Sequence, residues 1–320
     1  MTARFGLSPT DSIVEIGSND GYLLQYFVRK GMQVLGIDPA ANVAKVAISR
    51  GVPTLVAFFG EQLAIDLVAS RRKPHLLLGA NVLAQVPDLN DFVRGLKILL
   101  EKDGIITMEF PHLMKLVEQC QFDTIYHEHF SYFSFVTAER IFSSHGLTIF
   151  DVEELPTHGG SLRIYVRHST EPSKAVGPHV DEMREREIAA GLETLQYYGG
   201  FEAQVKDTKR VLVECLTDVK RAGKRIAAYG APGKGNTLLN YCGIRDDVID
   251  YAVDRNPFKQ GKYTPGTRIP ILPPETISRT KPDFLLVLPW NLQGEIMEQM
   301  RYVREWGCRF IIPIPSARIC

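Results

Sequence analysis

The sequence predicts an α/β protein with two parallel-sheet units, the second smaller than the first. Three observations carry this. Short β-rich apolar runs alternate with amphipathic stretches of helical spacing through the first half of the chain. The same alternation resumes after Gly223. In both stretches the first strand leads into a glycine-containing turn and the next strand ends at an aspartate, Asp38 or Asp254, the layout of a doubly wound sheet.

The elements follow in order. Ser12 to Ile16 is rich in β-branched residues and stops at Gly17, so it reads as a strand. Tyr22 to Arg29 has helical spacing. Gln33 to Ile37 is a second strand, closed by Asp38-Pro39. Ala44 to Ser49 reads as helix, Pro53 to Phe59 as a third strand, and His75 to Leu78 as a fourth, ending near Asn81. Asp91 to Leu100 reads as helix with Asp91 as its cap. Gly104 to Met108 is a fifth strand. Leu147 to Val152 and Leu162 to Arg167 form an expected antiparallel pair at the sheet edge, joined by Pro156-Thr-His-Gly-Gly160. From Pro178 to Arg221 the chain is charged and nearly free of breakers apart from Gly191 and Gly199-Gly200. One apolar stripe there (Phe201, Val205, Leu212, Cys215, Leu216, Val219) marks a helical connector. Strands at Arg225–Tyr229, Val248–Val253, Phe284–Leu288 and Arg309–Ile312 complete the second unit. The expected division is 1–170, a connector over 171–222, and 223–320.

Composition narrows the function classes. Lys plus Arg number 37 and Asp plus Glu 37, so no basic excess exists to neutralise a polyanion, and no nucleic-acid partner is expected. No apolar run reaches the roughly 18 residues of a membrane span, and Met1-Thr-Ala-Arg-Phe-Gly lacks the apolar core of a signal peptide. The five cysteines are scattered, without a C-x-x-C pair, so neither a disulfide framework nor a zinc site is expected. A reduced cytoplasmic enzyme, with no metal and no membrane partner, suits these features. No period of 20–50 residues marks a repeat protein.

The turn Val14-Glu15-Ile16-Gly17-Ser18-Asn19-Asp20-Gly21 closes the first strand and opens a helix. A dinucleotide fingerprint starting at Gly17 needs glycine at 19 and 22, where Asn19 and Tyr22 stand. That counts against a nicotinamide-dependent oxidoreductase. The actual spacing is E-x-G-x-x-x-G, and Asp38 ends the next strand, where a carboxylate can accept both hydroxyls of a ribose. With Asn81-Val-Leu-Ala-Gln-Val-Pro-Asp88 after the fourth strand, the pattern resembles that of class I methyltransferases. The resemblance implies S-adenosylmethionine as cofactor, with Glu15, Gly17, Asn19, Gly21, Asp38 and Asn81 around it. An empty, tightly capped βα turn is the plainer alternative.

Residues 122–135 hold four proton-handling groups in succession, Tyr126, His127, Glu128 and His129, flanked by aromatics. A zinc-protease spacing from His127 would need histidine at 131, which is Ser131. Neutral imidazole accepts protons at cellular pH. Removing a proton α to a ketone calls for a base and for a donor to the carbonyl oxygen. His129 suits the base, Tyr126 the donor, and Glu128 a group that orients the imidazole or binds a substrate amine or hydroxyl. A polar loop whose histidines cap backbone groups is the alternative.

In the second unit, Tyr229-Gly-Ala-Pro-Gly-Lys-Gly-Asn236 leads from strand to helix and is not a Walker loop. Backbone amides there with Lys234 favour a phosphate, and Asp254 suits a sugar hydroxyl. Trp290 and Asn291 follow a buried strand and either reach the same cleft or only pack. His158, Gly159, Gly160 and Ser161 form a turn that either approaches a sugar or simply closes a hairpin. Arg163 either pairs with a diphosphate or is an edge-strand cation.

Six segments occur together: Glu15–Leu24, Glu109-Phe-Pro-His112, Tyr126-His-Glu-His-Phe-Ser131, His158–Arg163, Tyr229–Asn236 and Leu288-Pro-Trp-Asn291. The set resembles the sugar-nucleotide C-methyltransferases of deoxysugar biosynthesis over nearly the whole chain. The resemblance implies a class I methyltransferase Rossmann-like sheet with a smaller Rossmann-like C-terminal domain. It implies methylation of a ring carbon next to the 4-keto group of a nucleotide-linked 6-deoxysugar. Tyr126, Glu128 and His129 match the family's active-site residues. It also implies that His158, Gly160, Ser161, Arg163, Tyr229, Lys234, Asn236 and Trp290 face the nucleotide sugar. Family members usually begin with a small zinc-binding domain of paired cysteines. This sequence starts almost at its first strand, so the expectation is a chain without that domain. The alternative is then a remnant that binds S-adenosylmethionine and nucleotide sugar without turnover.

Overall fold

A computed structural model describes residues 1–70 and 73–320. The chain divides into two units, one comprising 1–114 and 129–193, the other 115–128 and 194–320.

The first unit is built on strands β1 (Ser12–Ile16), β2 (Gln33–Ile37), β3 (Thr54–Leu55), β4 (Leu76–Ala80), β5 (Ile105–Pro111), β6 (Leu147–Leu155) and β7 (Ser161–His168), in the order β3-β2-β1-β4-β5-β7-β6. β1 to β5 are parallel; β7 pairs antiparallel with both β5 and β6. The strand order reverses at β1, which lies between β2 and β4. Side chains of β1 alternate between two apolar layers. Val14 and Ile16 join one core with Phe92, Leu96 and Phe142, whereas Ile13 joins another with Leu24, Phe27 and Tyr165. A sheet buried on both faces needs near-continuous apolar runs, and β1, β2, β4 and β5 carry them apart from Ser12, Glu15, Gln33, Thr107 and Glu109.

Three details differ from the sequence reading. The third strand keeps only Thr54–Leu55, because its sole neighbour β2 stops at Ile37 and offers no backbone to residues 56–59. Phe58 is accordingly 85% exposed. The helix expected from Asp91 spans Leu89–Leu99 and is capped by Asp88, whose Oδ1 accepts from the Asp91 amide at 2.9 Å. Two aspartates three residues apart compete for the cap, and the one preceding Leu89 wins. Helices Glu61–Ser70 and Phe135–Ser144 have no counterpart in the sequence reading. The second opens inside an aromatic run that masks its helical spacing; its start is fixed by Ser134, which accepts from the Thr137 amide.

The residues 178–221 hold three helices. Pro178–Ala190 ends at Gly191 in a left-handed conformation, a short Leu195–Tyr198 helix precedes Gly199-Gly200, and Phe201–Arg221 follows. The first of these belongs to the first unit and the third to the second, where Val205, Leu212, Leu216 and Val219 enter the core.

The second unit has strands β8 (Ile226–Tyr229), β9 (Tyr251–Val253), β10 (Ile271–Leu272), β11 (Phe284–Val287), β12 (Arg309–Ile312) and β13 (Arg318–Ile319), ordered β10-β9-β8-β11-β12-β13. All pair in parallel except β12 with β13, and the order reverses at β8. Gly230 leaves β8 at φ 81°, and a Cβ there would lie 2.6 Å from Cγ of Pro289. Gly230→Ala is therefore expected to destabilise the protein by about 2 kcal/mol, from left-handed strain plus overlap with a rigid ring. A urea midpoint equal to wild type would show that the turn relaxes freely.

Candidate functional site

Both sheets present the carboxyl ends of their first strands at an order reversal, where open α/β folds place ligands. In the first unit a cavity of about 670 Å³ opens there. Gly17 and Asn19 from the turn after β1, Asp38 after β2, Phe58 after β3, and Asn81 and Gln85 after β4 line it. Of the six residues expected around a cofactor, four (Gly17, Asn19, Asp38, Asn81) line this one cavity.

Glu15 and Gly21 do not line it. Gly21, at φ 76°, has Val52 at 3.0 Å from where a Cβ would stand, so its small size serves packing of the turn on its neighbour. Glu15 is 1% exposed on β1, opposite Gly36 and Leu78, and neither carboxylate oxygen has a hydrogen-bond partner among the described residues. Burial, with a smaller contribution from the charge of Asp38, pushes its carboxyl up to about 8.

The turn geometry is held by side-chain to backbone bonds. Asn19 sits at φ 51° and its amide donates to Asp38 Oδ2 at 2.8 Å; the Ala40 amide donates to Asp38 Oδ1 at 2.9 Å. Asn81 is left-handed at φ 58°, its amide bonds to the Glu109 carbonyl, and its Nδ2 lies 2.9 Å from Nε2 of His158. His158 is itself at φ 56°. Left-handed non-glycine residues are costly and gather at ligand sites; here three stand at the carboxyl-end rim. Asn81 Oδ1 is buried without a partner among the described residues. With Asp38, Asp88 and Asp91 also lining the cavity, its polar groups mainly accept hydrogen bonds and suit a ligand rich in donors or positive charge.

The unit boundary falls inside the proton-handling run: Tyr126 to Glu128 belong to the second unit and His129 to the first. His129 is tied to the cavity loop through its neighbours. The amides of Phe130 and Ser131 both reach the Ala84 carbonyl, at 2.8 and 3.3 Å, between the lining residues Val82 and Gln85. The His129 ring meets Tyr132 edge-on with centroids 6.1 Å apart.

The turn expected to approach a sugar is well tied. Gly160 sits at φ 121°, its amide bonds to the Thr157 carbonyl, and the Ser161 hydroxyl donates to the same carbonyl at 3.0 Å. Arg163 donates to Glu109 Oε2 at 2.8 Å, so its charge is already matched by a carboxylate.

The second reversal gathers a buried polar cluster. Trp290 Nε1 donates to Asp123 Oδ2 at 2.7 Å, and Lys234 lies 4.5 Å from the centre of the Trp290 ring while donating to Asn291 at 2.6 Å. Asp123 is 0% exposed, and burial pushes its carboxyl up to about 6 against the opposing pull of Trp290 and Lys234. Burial lowers the pKa of Lys234. Asp123 Oδ1 and Asn236 Oδ1 are buried without partners among the described residues. The Tyr126 ring packs beside Gly233, 3.7 Å from where a Cβ would stand. Two expected contacts are engaged by other groups of the second unit. Tyr229 is 6% exposed and its hydroxyl donates to Gln299. Asp254 accepts from the Ala231 and Asn256 amides. Asp123 was missed because its role rests on a tryptophan 167 residues away. Among the described residues no group of three His, Cys, Asp or Glu side chains is placed to hold a metal ion, and no helix is long and apolar enough to cross a membrane.

Comparisons with known proteins bear on both units. Residues 2–152 match a family described as a methyltransferase domain, and residues 156–315 match one described as the C-methyltransferase C-terminal domain. The C-methyltransferase NovU of Streptomyces niveus is 38% identical over 316 residues, covering 99% of this chain and 75% of that protein. A crystal structure of a SAM-dependent methyltransferase from Anabaena variabilis aligns with a TM-score of 0.44 at 13% identity, over 52% of this chain and 82% of its own.

Proposed function

The chain belongs to the S-adenosylmethionine-dependent C-methyltransferases, and from that premise we propose that it methylates a ring carbon α to the 4-keto group of a nucleotide-linked 6-deoxysugar. The observation that carries the reading is the placement of His129, whose two following amides are bonded to Ala84 within the loop that lines the acceptor-rich cavity.

The cavity residues suit the cofactor. Asp38 stands where a ribose diol would donate, and Asn81 Oδ1, without a partner among the described residues, offers an acceptor. When bound, S-adenosylmethionine supplies an electrophilic methyl group on a cationic sulfur. The chain's own residues then have three tasks. The His129 imidazole takes the proton from the carbon next to the keto group. The Tyr126 hydroxyl donates to the carbonyl oxygen as negative charge builds there, and Glu128 holds the imidazole or a sugar hydroxyl. With the cofactor bound, the electron pair left on that carbon would form the new carbon–carbon bond as the methyl–sulfur bond breaks and its electrons stay on sulfur, leaving neutral S-adenosylhomocysteine; holding both reactants close would be the main source of rate. In the second unit, Lys234, Asn236 and Trp290 are the proposed nucleotide-sugar contacts. Half-buried Lys234 and the Asn236 oxygen, buried without a partner among the described residues, support this.

The test is methyl transfer from labelled S-adenosylmethionine to a panel of nucleotide-linked 4-keto-6-deoxysugars. Methylated product is expected. Cofactor binding without turnover on any of them would point to a non-catalytic binding protein instead. Asp38→Ala is expected to weaken cofactor binding by roughly 1.5–3 kcal/mol, the worth of hydrogen bonds to a charged group. It also frees the Asn19 amide from the carboxylate that holds its left-handed turn. A calorimetric dissociation constant equal to wild type would reject that placement.

A further inference from the structure

Glu187 lies on the helix Pro178–Ala190 and is 0% exposed. Its carboxylate collects three donors. Oε1 accepts from His112 Nε2 at 2.6 Å and from the Phe135 amide at 2.7 Å; Oε2 accepts from the Val136 amide at 2.9 Å. Two of these donors are among the free amides at the start of the helix Phe135–Ser144, where the helix dipole also favours a negative charge. The third donor, His112, follows the last residue of β5 and is 1% exposed.

His112 reaches the same segment through its backbone. It forms a bridge with Phe133, the Leu113 amide bonds to the Phe133 carbonyl, and the His112 amide bonds to the Gly160 carbonyl. One buried carboxylate thus joins the end of β5 to residues 133–136, a few positions after His129. Bonds from the Phe130 and Ser131 amides to the Ala84 carbonyl hold its other end.

Stability alone is a poor reason for this pair. Replacing a buried His–carboxylate contact by apolar side chains is often neutral or stabilising. The pair also leaves His112 Nδ1 buried with no partner among the described residues, a cost an apolar pair would avoid. What a three-donor carboxylate supplies and an apolar contact does not is a single geometry. We propose that Glu187, through His112 and the Phe135 and Val136 amides, is a positioning residue that holds the segment carrying His129 in register with the cavity loop. The inference rests on the proposed role of His129, but its structural half can be read without activity.

The experiment compares wild type with Glu187→Gln, which keeps size and loses the charge, and with His112→Gln, which leaves both backbone bonds to Glu187 in place. Amide hydrogen exchange of residues 130–136 is measured alongside kcat per S-adenosylmethionine-binding site. Exchange is expected to rise about tenfold or more in that segment and kcat per site to fall by about 10- to 100-fold. The sugar KM, cofactor affinity and binding stoichiometry stay near wild type. A merely structural role would lower the number of binding sites and leave kcat per site unchanged. Unchanged exchange in both variants overturns the proposal. So does failure of both to fold, which would make the pair a requirement of the fold as a whole. If wild type itself methylates no sugar, the functional reading fails. Exchange then still decides whether Glu187 pins the segment.

Discussion

Replacing His129 with alanine is expected to lower the methylation rate by about 10²–10⁴-fold, the usual worth of a positioned general base. The affinity for S-adenosylmethionine stays near wild type. The two halves of this expectation come from different parts of the structure. The cavity is lined by Gly17, Asn19, Asp38 and Asn81 and does not use the His129 side chain. The stretch that carries His129 is held by backbone amides, Phe130 and Ser131 on Ala84, which survive truncation of the ring. The loss should therefore fall on the chemical step. Single-turnover rates with pre-bound cofactor, alongside calorimetry, separate the two. Near wild-type turnover in the variant would remove His129 as the base and pass the role to another group of the run, with His127 and Glu128 the first to test.

Much of the first sheet is readable in the sequence because parallel strands covered on both faces must be apolar along their whole length. Leu76–Ala80 satisfies this throughout, and Ser12–Ile16 and Gln33–Ile37 do so apart from Ser12, Glu15 and Gln33. The positions of Gly17, Asn19, Asp38 and Asn81 follow at once, since each stands at the carboxyl end of one of these strands. What stays hidden is decided by long-range contacts. The third strand is cut to two residues by the length of its neighbour, not by its own composition. Residues 115–128 join the second unit, where Asp123 meets Trp290. Glu187 reads as one more charge on a polar helix until the fold brings His112 to it across 75 residues. Such buried polar pairs carry no local pattern, and a buried acid looks like a surface acid in sequence.

Glu15 is the sharpest case. Glu15→Gln is expected to raise stability at pH 8 by about 4 kcal/mol relative to its effect near pH 4.5. The sign follows from the carboxyl's displacement from 4.5 to about 8 by burial and the charge of Asp38. The folded chain holds this proton more tightly than the unfolded chain. The stability it lends is complete below the unfolded value and is lost as pH rises toward 8. A glutamine cannot ionise, so the variant escapes that loss. The gap between variant and wild type should open from about pH 4.5 and stop widening near pH 8. The amide brings a donor of its own into a partnerless site, but that cost does not change with pH, so the slope is the diagnostic quantity. Urea unfolding at several pH values measures it, and parallel curves would mean that Glu15 is not held neutral. An acid placed where it weakens the fold calls for a compensating use. A cationic ligand nearby favours the ionised carboxylate, so wild-type affinity for S-adenosylmethionine should rise as pH passes through the range of Glu15. The glutamine variant should bind more weakly and without that rise. Gain of stability together with loss of affinity in one substitution would tie Glu15 to the cofactor. Gain of stability with full affinity would leave it a buried acid with no part in binding.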